Sequence, residues 1–218
     1  RYAAVLLVGV VAAWWLARSE DEPVPPVTVA RQEILPGEMK AVLRLESGER
    51  IALGKRAERQ DERLAVRGIS ERDSALVYGE QPERRVERHV LTVPRGGEYV
   101  LTLSDSTRVW MNSDSELRYP SRFEGDERRV SVTGEAYFQV AKDESLPFVV
   151  EAGGAAVRVT GTEFNVMAYP DDGRVETTLV SGGVDVEANG QTRRVAPGSQ
   201  AVYDKTSGGL TVRAVDLA

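Results

Sequence analysis

The stretch Val-Ser-Val-Thr-Gly-Glu-Ala-Tyr-Phe-Gln-Val, residues 130–140, decides the fold that this sequence predicts. Its apolar residues occupy the even positions, from Val130 to Val140, and the odd positions are mostly polar. A period of two is typical of a β-strand with one buried face, whereas a helix repeats about every 3.6 residues. We therefore expect a long strand here, with Phe138 in the core.

The alternation changes phase further along the chain. The apolar positions are even up to Val150, odd around Val157 and even again from Phe164. A β-bulge adds one residue to a strand and reverses its faces, and glycine adopts the necessary backbone most easily. We therefore predict a bulge near Gly161.

Turn residues stand where hairpins require them. Asn189-Gly190 is the strongest signal, since a type I′ turn needs a positive φ at both central residues. It predicts a hairpin between strands near 184–186 and 193–196. Three further turns are predicted at Glu46-Ser47-Gly48-Glu49, Asp171-Asp172-Gly173 and Pro197-Gly198.

One hairpin pattern occurs twice, with an offset of 58 residues, so that Leu43 corresponds to Leu101 and Ile51 to Val109. Two copies are too few for a solenoid, and each would bring an apolar face to a shared core. We therefore predict an all-β fold, a two-sheet antiparallel sandwich. Between the copies, residues 54–88 interleave acids and bases. This pattern predicts a solvated loop or short helix, with a partner-binding surface as the alternative.

The composition excludes several classes of function. The chain has 218 residues, no cysteine and one histidine, so disulfides, thiol catalysis and multi-histidine metal centres are ruled out. Lys and Arg number 28 against 34 Asp and Glu, a formal net charge of −6. An acidic chain without a basic stripe is unsuited to a nucleic-acid backbone, so no nucleic-acid partner is expected.

No set of side chains indicates catalysis. His89 precedes a predicted strand and is expected at the surface. Glu135 lies within a regular strand, and we expect it at the rim, paired with Arg128 or Arg129. We predict no enzymatic activity, no cofactor and no metal site.

The N-terminal residues predict a membrane anchor. Residues 2–17 carry no charge, and as a helix they would rise roughly 24 Å, somewhat less than the ~30 Å hydrocarbon layer. A signal peptide and a buried helix are the alternatives, but no small-residue cleavage signal follows and no polar face is present. We assign a transmembrane helix to residues 1–18, with anchoring side chains at Tyr2, Leu6, Leu7, Val10, Trp14, Trp15 and Arg18.

A stiff stalk is predicted at residues 19–28, where acidic residues are followed by Pro23 and Pro25-Pro26. Because Arg1 precedes the anchor and acidic residues follow it, we place Arg1 in the cytoplasm. The β domain, residues 29–218, would then lie outside the cytoplasm.

Several motifs in register resemble the FecR family. They extend over roughly residues 94–203 and include Val109-Trp110-Met111-Asn112, Leu117-Arg118-Tyr119-Pro120, Gly134-Glu135-Ala136-Tyr137-Phe138, Pro147-Phe148, Gly161-Thr162 and Phe164-Asn165. Their common order and spacing make the resemblance specific. It implies structural roles for Trp110, Asn112, Tyr119, Pro120, Gly134, Glu135, Phe138, Phe148, Gly161, Thr162, Phe164 and Asn165.

The resemblance also implies a function. FecR proteins are single-pass inner-membrane regulators with a periplasmic β-sandwich of jelly-roll type, and they usually act as anti-sigma factors for an extracytoplasmic-function (ECF) sigma factor. Their signal comes from the periplasmic signalling domain of a TonB-dependent outer-membrane transporter, and the controlled genes commonly serve iron or glycan uptake. The expected partners are therefore such a sigma factor, such a signalling domain and the inner membrane.

The chain departs from the family pattern in two respects. Asp105-Ser106 replaces the usual Asp-Gly before Val109-Trp110, so either the turn differs from the family's or Ser106 adopts a conformation that favours glycine. The family's sigma-binding segment precedes the anchor and a small domain often follows the sandwich. We therefore expect this chain to be the anchor and sensor of a longer protein.

The alternative function is a membrane-anchored module that binds glycan or peptidoglycan. Exposed aromatic side chains would favour it, and the candidates are Tyr119, Tyr137 and Tyr203.

Overall fold

β-strands make up nearly all of the regular structure in the computed structural model, which describes residues 38–54, 62–72, 75–79 and 85–217. The strands are β1 (Glu38–Arg44), β2 (Arg50–Gly54), β3 (Ile69–Arg72), β4 (Ala75–Tyr78), β5 (Arg88–Val93), β6 (Gly97–Thr102), β7 (Arg108–Met111), β8 (Ser115–Pro120), β9 (Arg128–Gln139), β10 (Phe148–Ala152), β11 (Ala155–Val159), β12 (Glu163–Ala168), β13 (Arg174–Ser181), β14 (Val184–Ala188), β15 (Gln191–Val195), β16 (Ser199–Asp204) and β17 (Leu210–Ala214). One helical turn, α1 (Glu62–Ala65), accompanies them. The all-β prediction is confirmed, while the predicted anchor and stalk lie outside the described residues.

Hydrogen bonding arranges the strands in two sheets that share β9. Sheet I has the order β2-β1-β5-β8-β9-β10-β11-β14-β15. Sheet II has the order β3-β4-β6-β7-β9-β12-β13-β16-β17.

The sequence predicted purely antiparallel sheets, and the structure differs from this prediction. The pairs β9–β10, β4–β6 and β1–β6 are parallel. Because β9 begins in sheet I and ends in sheet II, the chain must return to the start of β9 before β10 can pair with it. That return makes the two strands parallel. The jelly-roll connectivity stays a prediction.

The strand β9 changes sheet at Gly134. Residues before Gly134 pair with β8 and β10, and residues after it pair with β7 and β12. Gly134 has a φ of 91°, in the region that favours glycine. A Cβ there would lie 2.4 Å from Ser115 Oγ, which itself accepts a 2.8 Å hydrogen bond from the Glu135 N–H. The change of sheet therefore requires glycine on steric and conformational grounds.

Buried side chains from both sheets form one hydrophobic core. Phe138, Phe148 and Phe164 are fully buried in it, as expected from the sequence. Phe138 stacks on Phe164 with ring centroids 5.2 Å apart, and Phe148 of sheet I approaches Phe138 to 6.2 Å. Burial of each ring stabilises the fold by about 1.5–3 kcal/mol, so these contacts hold the two sheets against each other.

The repeated sequence pattern forms two hairpins, β1–β2 in sheet I and β6–β7 in sheet II. Their inward-facing leucines, among them Leu43 and Leu101, are fully buried. A short parallel pairing of Glu38 with Gly97 joins the hairpins. The repeat thus supplies one hairpin to each sheet and a shared core, as predicted.

The predicted turns also connect strands. Asn189 and Gly190 have φ values of 49° and 70° and join β14 to β15. The other three predicted turns join β1 to β2, β12 to β13 and β15 to β16. Ser106, between β6 and β7, has a φ of 70°, so of the two alternatives it adopts the conformation that favours glycine.

The phase change near Gly161 is due to a change of sheet and not to the predicted bulge. β11 ends at Val159 in sheet I and β12 begins at Glu163 in sheet II, so the inward face is set anew. A register irregularity does occur in the pairing of β12 with β13, between Glu163 and Phe164.

Part of the charged segment 54–88 is more ordered than predicted. It contains α1, β3 and β4, whose apolar side chains Leu64, Ile69, Leu76 and Tyr78 are buried. Charged residues between them obscured the short alternations that the sequence contains.

Gly134→Ala tests the steric constraint at the change of sheet. We expect it to lower the free energy of unfolding by about 3 kcal/mol, because overlap with Ser115 adds to the strain of a positive φ. Gly125→Ala is the matched control: φ is 88° and the added Cβ has nothing within 4 Å, so about 1 kcal/mol should be lost. Equal losses in urea denaturation would show that Ser115 imposes no constraint.

Candidate functional site

Two adjoining hollows lie along sheet I. The first has a volume of about 620 Å³ and lies over β5, β8 and β9, and the second has about 790 Å³ and lies over β9, β10, β11 and β14. Arg129, Ser131 and Glu151 line both of them. Small residues, including Ala156 and Gly154, are among those that line the second hollow.

Ion pairs bridge the rim between the hollows. Arg129 contacts both Glu127 and Glu151, and Arg158 Nη2 lies 3.0 Å from Glu127. The hydrogen bond from Arg129 holds the pKa of Glu127 below its usual value. The two arginines and two glutamates of this rim therefore neutralise one another.

A buried polar cluster lies next to the first hollow. The hydroxyl of Tyr78 lies 2.6 Å from His89 Nδ1 and 3.0 Å from the hydroxyl of Tyr119. His89 Nε2 lies 3.2 Å from Glu87 Oε2, so the tautomer with hydrogen on Nε2 donates there and accepts from Tyr78.

The prediction that His89 lies at the surface is wrong, since it is 1% exposed. The signal was present in the sequence, because His89 stands in phase with the buried residues Leu91 and Val93. Burial lowers the pKa of His89, although the Glu87 carboxylate counteracts this effect. The ring is therefore neutral at neutral pH, and its role is to connect β4, β5 and β8.

A second buried polar group is Arg128, at the start of β9. Its Nη1 donates to Asp105 Oδ2 at 2.7 Å and to the carbonyl of Ala141 at 2.9 Å, while Nε donates to Leu146 at 2.9 Å. The guanidinium also lies 5.4 Å from the centre of the Phe148 ring. Arg128 thus fixes the loop that returns the chain from sheet II to sheet I.

Glu135 is not paired with Arg128 or Arg129, which corrects the prediction. Its carboxylate accepts hydrogen bonds from Asn112 Nδ2 at 2.7 Å and Asn165 Nδ2 at 2.9 Å. Both arginines lie in the part of β9 that belongs to sheet I, whereas Glu135 lies beyond the change of sheet. Three of the predicted motif residues therefore meet, and they join β7, β9 and β12.

The other motif residues lie apart from one another. Trp110 contacts Tyr137 with ring centroids 5.6 Å apart, and the Arg108 guanidinium lies 4.8 Å from the Trp110 ring. Thr162 Oγ1 donates to the carbonyl of Gly183 at 3.0 Å, close to Gly161. Tyr119 belongs to the buried cluster with His89, and Pro120 ends β8. These contacts join strands and do not converge on one ligand.

Neither a metal centre nor a membrane span occurs within the part of the chain that the structure describes. In those ranges no group of three or more His, Asp and Glu side chains is placed to hold a metal ion. No helix there is long and apolar enough to cross a membrane, and the predicted anchor falls outside those ranges.

These contacts define an all-β protein in which the distinctive polar and aromatic residues hold strands together. Residues 89–185, from β5 into β14, match the family model described as FecR protein. This part of the chain is therefore a FecR-family region, and the resemblance found in the sequence is confirmed. The family is regulatory.

Two crystal structures of candidate anti-sigma factors from Parabacteroides distasonis are similar to this chain. One is 34% identical with a TM-score of 0.58, covering 59% of this chain and 61% of the other. The second is 35% identical with a TM-score of 0.57, covering 58% and 60%. The chain thus spans about three fifths of the length of these proteins. No curated protein matches it.

Arg128→Met tests the buried ion pair. We expect a loss of about 3–5 kcal/mol in the free energy of unfolding, because Asp105 and two carbonyls lose a buried partner. The neighbouring Arg129 also pairs with carboxylates but its side chain is 44% exposed, so Arg129→Met should cost no more than about 1 kcal/mol. Similar losses for the two variants in urea denaturation would contradict this assignment.

The lone histidine gives a pH prediction. Because burial lowers its pKa in the folded state, unfolded chains bind more protons below about pH 6.5. We expect stability to be constant near neutral pH and to decrease as the pH falls through that value. NMR of the single imidazole should show a lowered pKa, and Glu87→Gln should lower it further. Glu124→Gln is the exposed control and should leave the titration unchanged. A pKa at or above the usual histidine value would refute the prediction.

Proposed function

We propose that this chain is the sensor part of a transmembrane regulator of the anti-sigma type. The observation that carries the proposal is the FecR match over residues 89–185. That region includes β9, the Arg128 contacts and the carboxylate of Glu135 with its two asparagines. The likeness to candidate anti-sigma factors at 34% and 35% identity adds support.

In this proposal residues 1–18 anchor the protein in the inner membrane, and the β domain of residues 29–218 lies in the periplasm as a jelly-roll sandwich. The signalling domain of a TonB-dependent outer-membrane transporter binds the β domain. The signal then passes to an ECF sigma factor in the cytoplasm. The controlled genes would serve uptake of iron or glycan.

The signal requires two states of the β domain or its stalk that the transporter binds with different affinity. β1 is the first described strand after the predicted stalk along the chain, and it pairs with β2, β5 and β6. A partner that alters the pairing of β1 would therefore alter the connection to the membrane.

The glycan-binding alternative has less support in the described residues. Of its three aromatic candidates, Tyr119 is 3% exposed and lies in the buried cluster. The hydroxyl of Tyr137 donates to Glu163 at 3.2 Å, and its ring packs against Trp110. Tyr203 alone does not make an aromatic binding surface.

The test is a binding experiment with the full chain in lipid nanodiscs. Purified signalling domains of the TonB-dependent transporters from the same cell serve as probes, and transporters that lack such a domain serve as controls. Selective retention of one signalling domain supports the proposal. Retention of none, together with binding to oligosaccharides on a glycan array, would overturn it in favour of the binding module.

A further inference from the structure

Three exposed arginines lie close together at one edge of sheet I. Arg44 and Arg50 stand directly opposite each other in the β1–β2 pairing. Arg44 is also opposite Val90 of β5, and Arg88 lies two residues from Val90 on the same face. These three residues, Arg44, Arg50 and Arg88, are called the arginine cluster below.

None of the three guanidinium groups of the arginine cluster forms an ion pair with a carboxylate among the described residues. Most other described arginines pair with a carboxylate, as Arg118 does with Glu116 at 2.7 Å. The nearby carboxylate of Glu46 accepts from Arg85 Nη2 and from the backbone N–H of Arg88 and does not pair with the cluster. Like charges opposite each other on paired strands are destabilising, so the fold bears a cost here on a chain whose net charge is −6.

We propose that the arginine cluster binds the anionic phospholipid headgroups of the membrane that holds the anchor. The inference rests on the proposed anchor at residues 1–18. Guanidinium groups match phosphate geometry, and the three arginines are exposed on one face of sheet I. Charge complementarity thus selects the occupant.

The length of the chain before β1 permits this contact. Nineteen residues, 19–37, separate the predicted anchor from the start of β1, and when extended they span at most about 65 Å. The cluster lies on β1, on its hairpin partner β2 and on its neighbour β5, so it belongs to the part of the β domain closest in sequence to the membrane.

The strength of the contact is suited to a tethered domain. Each basic side chain near an anionic surface multiplies the partition constant by roughly fivefold, so three give about a hundredfold. That is weak for a free protein, but a tether raises the effective concentration to about the millimolar range. The cluster would therefore orient the domain without fixing it permanently.

Such an orientation would expose the opposite edge of the domain to partners. In sheet I the strand β15 lies eight strand spacings from β2, roughly 40 Å along the sheet at about 4.8 Å each. The other sheet ends at β17, where Val212 is 40% exposed. With β1 and β2 at the bilayer, β15 and β17 would be directed away from it.

The test uses the full chain in nanodiscs. Because the protein has no cysteine, Ser47→Cys in the exposed β1–β2 turn provides a single site for a donor fluorophore. A headgroup-labelled lipid is the acceptor, and discs of neutral phosphatidylcholine are compared with discs containing anionic phosphatidylglycerol. We expect higher energy transfer in the anionic discs, and loss of that difference at high salt.

The comparison of variants assigns the effect to the cluster. The combination Arg44→Gln, Arg50→Gln and Arg88→Gln should abolish the difference between discs, and all three residues are exposed, so the fold should persist. Arg193→Gln, Arg194→Gln and Arg213→Gln remove the same charge from exposed positions on β15 and β17 and should leave the difference intact.

Three results would be adverse, and each has a separate meaning. Failure of the chain to insert into discs would overturn the proposed anchor. If the chain inserts but energy transfer is equal in neutral and anionic discs, the proposed lipid contact is overturned and the proposed anchor is not. If soluble poly-L-glutamate then perturbs the fluorophore in the parent chain but not in the cluster variant, the cluster binds an acidic polypeptide instead.

Discussion

The change of sheet by β9 at Gly134 is the constraint on which the rest of the structure depends. One continuous strand of 12 residues pairs with four neighbours, two in each sheet. The register of either sheet therefore fixes the register of the other. Ser115 excludes any side chain at this point and also accepts the next backbone N–H, so that the bend is both allowed and held.

The polar contacts at the two halves of β9 each join segments that are distant in the chain. Burying Arg128 and Asp105 costs desolvation that a well-packed apolar pair would not incur. Arg128 nevertheless donates to three acceptors, Asp105 and the carbonyls of Ala141 and Leu146, and so joins the start of β9 to its return loop. Beyond Gly134, Glu135 does the same for sheet II, because it must lie between Asn112 and Asn165 to satisfy both oxygens.

Local patterns in the sequence predict the structural features that depend on residues close together in the chain. The alternation over 130–140, the Asn189-Gly190 turn and the two related hairpins all follow from such patterns, and so does the core position of Phe138. The burial of His89 and Arg128 was not predicted, although the pattern contains the signal. Each stands in phase with buried apolar residues and is itself buried. A polar residue in the apolar phase of a strand thus predicts a buried contact, although not its partner.

What the sequence did not predict depends on pairing between distant segments. The parallel pairs, the neighbours of Glu135 and the opposition of Arg44 to Arg50 all arise from register, which one strand alone does not determine. The same dependence limits how the signal of the proposed function would pass through the domain. A close-packed core deforms little, so a change is most easily accommodated at the least firmly held pairing. The β1–β6 pairing is only two residues long, at Glu38 and Met39, at the end of β1 that follows the predicted stalk. Loss of this pairing would remove fewer backbone contacts than loss of the β1–β2 or β1–β5 pairing, which are five and three residues long.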